Sequence, residues 1–446
     1  MQGRNLQEAI DAAGSPIQLL WKPGAPAWAV PVVEPEFEGW GAEQASWRDR
    51  VAIFDLSFHM FDTVIEGADA TALLERVSAN NYEKFAVGQA KQFIPVAYDG
   101  NIITDGILLR TDTHRYVLAG PPASHTWVNY HARTGNYDVR VEIEPDSSVK
   151  RDGTRRHFRF QVQGPRALEV VERAIGGAAP DVKFFHSAIV SIADRPVRAL
   201  RHGMAGQAGF ELIGDFGDYQ AVKDALLAAG EPSGLAQVGG LAYFTNGVES
   251  GWIPTPTPAI YLDERLRDYR ESISEFSFEG KRPLSGSYYS DDIADYYLTP
   301  WELGYGRSVH LGHDFIGRDA LAAAKDETHR TRVTVELDRD DVARVLGEGL
   351  GYFNSYGRFR LEDAQGLVGM TFWTAHIAPL DRVLALSIVD DRAATPGTEV
   401  TLVYGEHPGH GTDPEADLGF ARIRGVVRPS PYDDYARTQY RAAHMA

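Results

Sequence analysis

The chain contains no cysteine among its 446 residues, which excludes disulfides, thiolate metal sites, iron–sulfur ligation and a cysteine nucleophile together. It also lacks any apolar run long enough to cross a bilayer. The opening stretch, MQGRNLQEAIDAAGSPIQLLW, scatters acidic groups where a secretory signal would carry a continuous apolar core. Basic residues are in deficit: 44 Lys and Arg stand against 62 Asp and Glu, a formal charge of −18. A surface of that sign makes a nucleic-acid backbone or an anionic membrane a poor partner, although a local basic pocket stays open. There is no G-x-x-x-x-G-K-[ST], no G-x-G-x-x-G after a strand, no G-x-S-x-G and no H-E-x-x-H. The nearest metal-like spacings, His310 with His313 and His407 with His410, lie in glycine-rich loops without carboxylates at ligand spacing, so no metal site is expected. These absences predict a soluble cytoplasmic protein, monomeric or homodimeric, that acts on a small molecule without nucleic acid or membrane.

What is present is globular. Hydrophobic residues make up 43% and charged residues 24%, so a core can form, and the length suits two or three domains. A short amphipathic helix over Leu6 to Ala13 leads into a Pro/Gly-interrupted extension, residues 1–40. Its Trp21, Trp28, Phe37 and Trp40 either pack the segment onto the body or line a ligand pocket. VAIFDLSFHMFDTVIEG reads as a half-buried strand, GADATALLERVSAN as a helix capped by Asp69, and IPVAYDGNIITDGILLRTDTHRYVLAG as a β-meander. A helix around Ala123 to Gly135 closes this first half, 41–150, and the polar run from Asp146 to Arg156 marks a boundary.

Residues 151–300 then repeat the pattern without sequence identity: strand, helix, strands, helix. Within them Arg201 to Trp252 reads as strand, helix, helix and aims Glu211 and Tyr243 toward one cleft. The stretch 253–298, including SGSYYSDDIADYY, reads as a surface connector that could instead cover a site. From 301 to 446, six short runs between turns (TRVTVEL, GRFRLED, LVGMTFW, VLALSIV, EVTLVYG, GFARIRGVV) predict a β-barrel or sandwich. The fold class is therefore α+β: two pseudo-repeated halves around a central cleft, plus a β-barrel-like C-terminal domain. Polar residues at strand ends, Asp105, Gln163, Glu211, Tyr243 and His59, are the candidates for chemistry, and each also has an ordinary structural use as cap, turn partner or core.

Several segments carry a resemblance. FDLSFHM is similar to DLSHM, GNIITDGILL to GGIIDDL, FQVQGPRALEVV to a VQGP helix start, MAGQAGFEL to TGEDGFE, TPWELGYGRSV to TP-x-E-x-G-L-G, and DFIGRDAL to DFIGREAL. In this order they resemble the tetrahydrofolate-dependent aminomethyltransferase family, the T-protein of glycine cleavage. Where that family carries an SLRLEAG-like segment, this chain has LAYFTNGVESGW, which looks like the branch of bacterial O-demethylases acting on vanillate, syringate or 3-O-methylgallate. The resemblance implies transfer of a methyl group from a lignin-derived methoxyarene to tetrahydrofolate. It implies Tyr243 as catalytic proton donor, folate contacts at Asp105, Gln163, Glu211 and Trp252, and a substrate pocket that includes His59, Trp28, Leu56 and Pro121.

A phenolate leaves poorly unless it is protonated as the carbon–oxygen bond breaks, and a tyrosine hydroxyl of similar acidity suits that task. Pro121 falls where the vanillate-type enzymes place an arginine for the substrate carboxylate, and Leu56 where they place a glutamine. Either His59, Arg110 or Arg115 takes over the acid, or the substrate is neutral, like a guaiacol. Other folate-dependent transfers remain open, from a sulfonium or in glycine cleavage, as does folate binding without turnover.

Overall fold

The computed structural model describes residues 3–144, 148, 155–254 and 256–442. The boundary expected at 146–156 falls largely outside them. Two sheets and a barrel organise the chain.

The pseudo-repeat is present in the topology. From Phe61–Glu66 the chain runs strand, helix, three strands, helix, strand, and from His157–Gln163 it does so again. The first pass builds a five-stranded sheet in the order Ala90–Phe93, Gly106–Asp112, Arg115–Gly120, Phe61–Glu66, Arg140–Ile143. The second builds Ser187–Ile192, Arg195–Leu200, Gly209–Asp215, His157–Gln163, then Leu235–Val238. The order is the same, with one addition: Val51–Asp55 enters the second sheet between His157–Gln163, antiparallel, and Leu235–Val238, parallel. The run expected as one strand from Val51 therefore breaks into two strands in different sheets. Leu56 to Met60 make the turn between them, held by Leu56 N–H and Ser57 Oγ against the backbone of Arg159.

Each sheet buries one face under helices. Ala70–Val77 and Pro122–Thr134 cover the first, and Ala167–Ile175 with Tyr219–Gly230 cover the second, through buried Val170, Val171, Val222 and Leu226. Asp69 stands at the start of its helix but spends its carboxylate on Asp138 N–H across the loop, at 2.8 Å, rather than on the helix. The stretch read as strand, helix, helix contains an extra strand, Leu235–Val238, and ends in two short helices, Gly240–Tyr243 and Asn246–Ser250. Four residues of strand between glycine-rich turns leave too little period to separate from a loop.

All six C-terminal runs are strands, and they close. Gly366–Ile377, Arg360–Asp363, Glu399–Tyr404, Ala421–Arg428, Thr331–Leu337 and Arg382–Val389 pair antiparallel in a ring, the last rejoining the first. Val333, Val335, Leu361, Leu402, Ile423 and Val427 fill the inside. Gly366–Ile377 and Arg382–Val389 are buried on both faces, because their outer side chains Met370, Phe372, Leu384 and Leu386 join the core of the first sheet. That double burial is why LVGMTFW and VLALSIV read as continuous rather than alternating apolar runs.

The segment taken as a surface connector is core. Tyr288, Tyr289, Tyr296 and Tyr297 are all buried in the same cluster as Trp21 and the first sheet. The hydroxyls of Tyr289, Tyr296 and Tyr297 find partners, Tyr289 on Asp291 at 2.7 Å for example, so a polar composition hides an aromatic floor. Trp21 packs edge-on to Tyr289, and Trp40 against Tyr352 and His376, whereas Trp28 and Phe37 stay half exposed.

Gly209 opens the strand at the centre of the second sheet with φ +137°, and a Cβ there would lie 1.9 Å from the Val162 carbonyl oxygen. Gly209→Ala is expected to cost about 3 kcal/mol or more through backbone strain and a lost register. A melting temperature unchanged from the parent in differential scanning calorimetry would contradict this.

Candidate functional site

Two cavities adjoin at consecutive residues. The larger, of about 420 Å³, opens between the two sheets and the C-terminal segment. Gln92, Pro121, His202, Met204, Trp252 and Tyr305 are among its walls. The smaller, about 10 Å³ and so water-sized, lies beside the Tyr243 ring among Val30, Val33, Phe54, His59 and Phe244. His59 lines the small cavity and Met60 the large one. The wall between them is completed by Ala205, packed with Tyr243, and its neighbours Met204 and Gly206 facing the cleft.

Tyr243 ends the short helix Gly240–Tyr243, which Glu43 fixes in place. One Glu43 oxygen accepts Gly239 N–H at 2.8 Å, and the other accepts Phe37 N–H at 2.5 Å and Glu38 N–H at 2.9 Å. The Tyr243 hydroxyl lies 3.1 Å from His59 Nε2, the rings meeting edge-on with centroids 4.7 Å apart. Burial, with the Glu211 charge adding to it, raises the Tyr243 hydroxyl well above the ordinary tyrosine value, so it keeps its proton. Burial, and then the nearby Arg155 and Arg159 charges, push His59 down to about 3, so the imidazole is neutral. Trp28 stands over this pair, 6.3 Å from the His59 ring and 5.4 Å from Phe244. Leu56 is buried in the same cluster.

Behind the pair runs a buried ion network. Arg159 donates Nη2 to Asp62 at 2.8 Å and Nη1 to Glu211. Arg155 lies 3.2 Å from Glu144 and donates to the Met60 carbonyl at 2.8 Å. Asp62 sits on the first strand of the first sheet and Arg159 on the equivalent strand of the second, so one guanidinium ties the two repeats. Burial pulls Arg159 down, but Asp62 and Glu211 together outweigh it and hold the guanidinium above its ordinary value.

Of the residues expected to touch a cofactor, Trp252 lines the large cleft, and so does Pro121 from the substrate set. Asp105 is buried behind that wall, its Oδ2 accepting Gln92 Nε2 at 2.6 Å, Trp252 Nε1 at 2.8 Å and Tyr305 Oη at 2.5 Å. Glu211 is committed inward, to Arg159 and to Gln161 Nε2 at 2.8 Å. Gln163 reaches the 203–207 loop, accepting Ala205 N–H at 3.0 Å and donating to the Gln207 carbonyl at 3.2 Å. Arg110 and Arg115 stand away from both cavities. Arg110 is held by the carbonyls of Phe85 and Thr113, and Arg115 lies 3.9 Å from Glu66, so neither faces a cavity where it could take over a substrate acid. His313 Nε2 meets the carbonyls of Glu75 and Ser78, and His407 Nε2 that of Asp413.

Sequence reasoning missed Gln92, Tyr305 and an arginine set. Arg307, Arg332 and Arg441 line the large cleft, and none has a carboxylate partner among the described residues. A chain of charge −18 thus gathers three arginines without carboxylate partners among the described residues into one cleft. Apolar Ile107, Phe184, Phe185 and Leu303 line the same cleft, and Arg332 and Arg441 lie close enough to Tyr305 for their charges to act on its hydroxyl. Asp105 Oδ1 and Arg332 Nε are buried without a hydrogen-bond partner, so the cleft holds an unmet acceptor and an unmet donor. Tetrahydrofolate carries carboxylates, aromatic rings and ring N–H donors, and a cleft that holds arginines, apolar side chains and an unmet carboxylate oxygen has a partner for each.

The comparisons agree with this geometry. The GCVT N-terminal domain family model matches residues 21–255. The syringate O-demethylase of Sphingobium sp. is 38% identical over 98% of both chains. The sesamin methylene transferase of Sinomonas sp. is 28% identical over 83% of both, and the aminomethyltransferase of Exiguobacterium sibiricum 33% identical over 70% of this chain and 75% of its own. The crystal structure of glycine cleavage system aminomethyltransferase T from Bartonella henselae superposes with a TM-score of 0.64, covering 96% of this chain and 97% of that one at 19% identity, which shows the shared fold. The chain belongs to the GCVT aminomethyltransferase family. It is an enzyme of that family, whose cofactor is tetrahydrofolate. No helix among the described residues is long and apolar enough to cross a membrane.

Arg159→Met leaves Glu211 buried without its cation and Asp62 with Arg155 alone, at 3.8 Å, at an expected cost of roughly 3–5 kcal/mol. Urea denaturation at pH 7 measures it. A midpoint equal to the parent's would show that the network is not holding the repeats together.

Proposed function

We propose that the protein is a tetrahydrofolate-dependent aryl O-demethylase: a methoxyarene and tetrahydrofolate give the phenol and 5-methyltetrahydrofolate. One observation carries the reading, the Tyr243–His59 pair in an aromatic pocket one residue away from the cofactor cleft. The names of two relatives, a syringate O-demethylase and a sesamin methylene transferase, support one-carbon transfer from aryl ethers.

Tetrahydrofolate, when bound, supplies the amine nitrogen that accepts the methyl group. The protein's share is the proton and the orientation. Tyr243 Oη holds its proton at neutral pH and gives it to the departing aryl oxygen, and the tyrosinate left behind regains a proton from solvent once the phenol leaves, matched by the proton the accepting amine releases. Neutral His59 Nε2 orients the hydroxyl by accepting from it between turnovers. A raised Tyr243 is still a matched acid, because the leaving phenolate shares the pocket and is disfavoured by the same desolvation. The apolar side chains of Val30, Val33, Phe54 and Phe244 exclude water that would otherwise compete for that proton. A water-sized cavity does not hold an aryl ring, so substrate entry displaces the segment bearing Val30 and Val33, with Trp28 as the ring's outer partner.

The lining of the small cavity includes one charged side chain, Asp55, and no arginine or lysine. Asp55 is itself held by Tyr219 Oη at 2.5 Å and Lys223 Nζ at 3.3 Å. A ring carboxylate therefore has no anchor beside Tyr243, and neutral methoxyarenes belong to the substrate class with the acids. Incubating the protein anaerobically with tetrahydrofolate and vanillate, syringate, 3-O-methylgallate or guaiacol, and following 5-methyltetrahydrofolate by mass, tests both points. Guaiacol is expected within about tenfold of the acids in kcat/KM, since no ion pair worth more than roughly 1.4 kcal/mol distinguishes them. Silence across the panel with folate bound would sink the demethylase reading.

Tyr243→Phe should lower kcat by roughly 10²–10⁴-fold with folding and folate binding intact. The donor must be protonated, and the Tyr243 hydroxyl lies well above its ordinary value, so its own titration imposes no fall in rate between pH 7 and about pH 9. Full turnover by the phenylalanine variant would remove Tyr243 as the proton donor.

A further inference from the structure

Asp105 presents an asymmetric carboxylate. All three side-chain donors that reach it, Gln92 Nε2, Trp252 Nε1 and Tyr305 Oη, fall on Oδ2. Oδ1 is buried without a hydrogen-bond partner among the described residues. The three donors line the large cleft, as does Gly106, the residue after Asp105. Three donors on one oxygen fix the plane of the carboxylate and favour its charged form, leaving the second oxygen as the acceptor still to be satisfied. The shortest of the three bonds comes from Tyr305, at 2.5 Å. Tyr305 occupies the place of leucine in the TP-x-E-x-G-L-G pattern that TPWELGYG otherwise follows, and leucine has no proton to donate.

We propose that Tyr305 is a positioning residue for Asp105: by donating to Oδ2 it holds the carboxylate ionised and oriented, with Oδ1 reserved for a donor group on the bound cofactor. The proposal rests on the reading of Asp105 as a tetrahydrofolate contact. Packing alone would not require the hydroxyl, since phenylalanine fills the same space. The hydroxyl keeps its proton because burial, and then the Asp105 charge, raise it well above the ordinary tyrosine value. Burial also pushes the Asp105 carboxyl up, and the hydrogen bonds from Tyr305, Trp252 and Gln92 hold that rise back.

The full chain and its Tyr305→Phe, Tyr305→Leu and Asp105→Asn variants would be titrated with tetrahydrofolate by tryptophan fluorescence between pH 5 and 9, alongside kcat and KM. With Oδ2 occupied by three donors, a proton goes to Oδ1 and turns it from acceptor to donor, so affinity in the parent falls as pH drops through the Asp105 titration. Losing a bond to the charged form moves that titration upward, so in Tyr305→Phe the acid limb is expected to shift by about one unit to higher pH. Below it the affinity is reduced by roughly tenfold. Tyr305→Leu should do the same, which keeps the test intact if one of the two fails to fold. Asp105→Asn should abolish the limb and weaken binding at every pH. An acid limb at the parent's position in both Tyr305 variants, with Asp105→Asn still impaired, overturns the role of Tyr305 alone. Asp105→Asn binding tetrahydrofolate as the parent does would overturn the Asp105 contact and the Tyr305 role with it.

Discussion

The bond between Arg159 and Asp62 is the constraint on which the rest is arranged. Two copies of one topology could pack at many angles, since apolar faces have no preferred register. A guanidinium on the first strand of one copy, held between Asp62 of the other and Glu211 of its own sheet, restricts them to one. Such a cluster is expensive to bury and gives little net stability over apolar packing. What it gives is geometry: Arg155 carries the network to Glu144 and to the Met60 carbonyl, so the 56–60 turn bearing His59 is tied to the seam between the repeats. Gln161 extends the other end, from Glu211 to the Met204 amide at 3.0 Å, and so fixes the opposite lip of the same wall.

Much of this was legible in the chain. The six C-terminal runs are all strands because turn residues punctuate them at short intervals, and the repeat showed in the succession of strand and helix patterns. The insertion of Val51–Asp55 into the second sheet was not legible. Its partners lie more than a hundred residues away, and a run with a five-residue turn in the middle keeps the same apolar content as one long strand. The tyrosines of SGSYYSDDIADYY misled for a related reason: composition reports polarity, while burial depends on which neighbours satisfy the hydroxyls. In the site, motif matching singled out Tyr243, Trp252, Asp105, Glu211 and Gln163. It could not say which of them line a cavity, as Trp252 and Tyr243 do, and which bond other side chains or a loop behind it, as Glu211 and Gln163 do, because a strand end looks the same from either side. Tyr305 carried a signal, a polar residue in an apolar motif position. The cleft arginines carried none, since Arg307, Arg332 and Arg441 lie on three separate segments.

The charge distribution follows the same logic. An acidic protein repels an anionic ligand at long range, and screening confines that repulsion to about 8–10 Å in physiological salt. Unpaired arginines inside a walled cleft act within that distance, where the low-dielectric surroundings strengthen them. The net charge of −18 thus argues against extended polyanions and leaves a small carboxylate-bearing cofactor as the anion the protein can admit.

The separation of Tyr243 from Asp105 completes the design. Methyl transfer from an ether to an amine needs a proton delivered at the aryl oxygen and one removed from the amine nitrogen, with no net change in charge. A carboxylate oxygen without a donor, such as Asp105 Oδ1, would compete with the substrate for the Tyr243 proton if both shared one cavity, whereas Asp55, which does share it, is already held by Tyr219 and Lys223. The His59–Met60 turn and the 203–206 loop stand between the two cavities, so the Tyr243 hydroxyl, held protonated by burial, is kept apart from the Asp105 carboxyl and its three donors. Opposite pKa requirements are met by two environments rather than by two unusual residues. The ion network behind that wall is what keeps it standing.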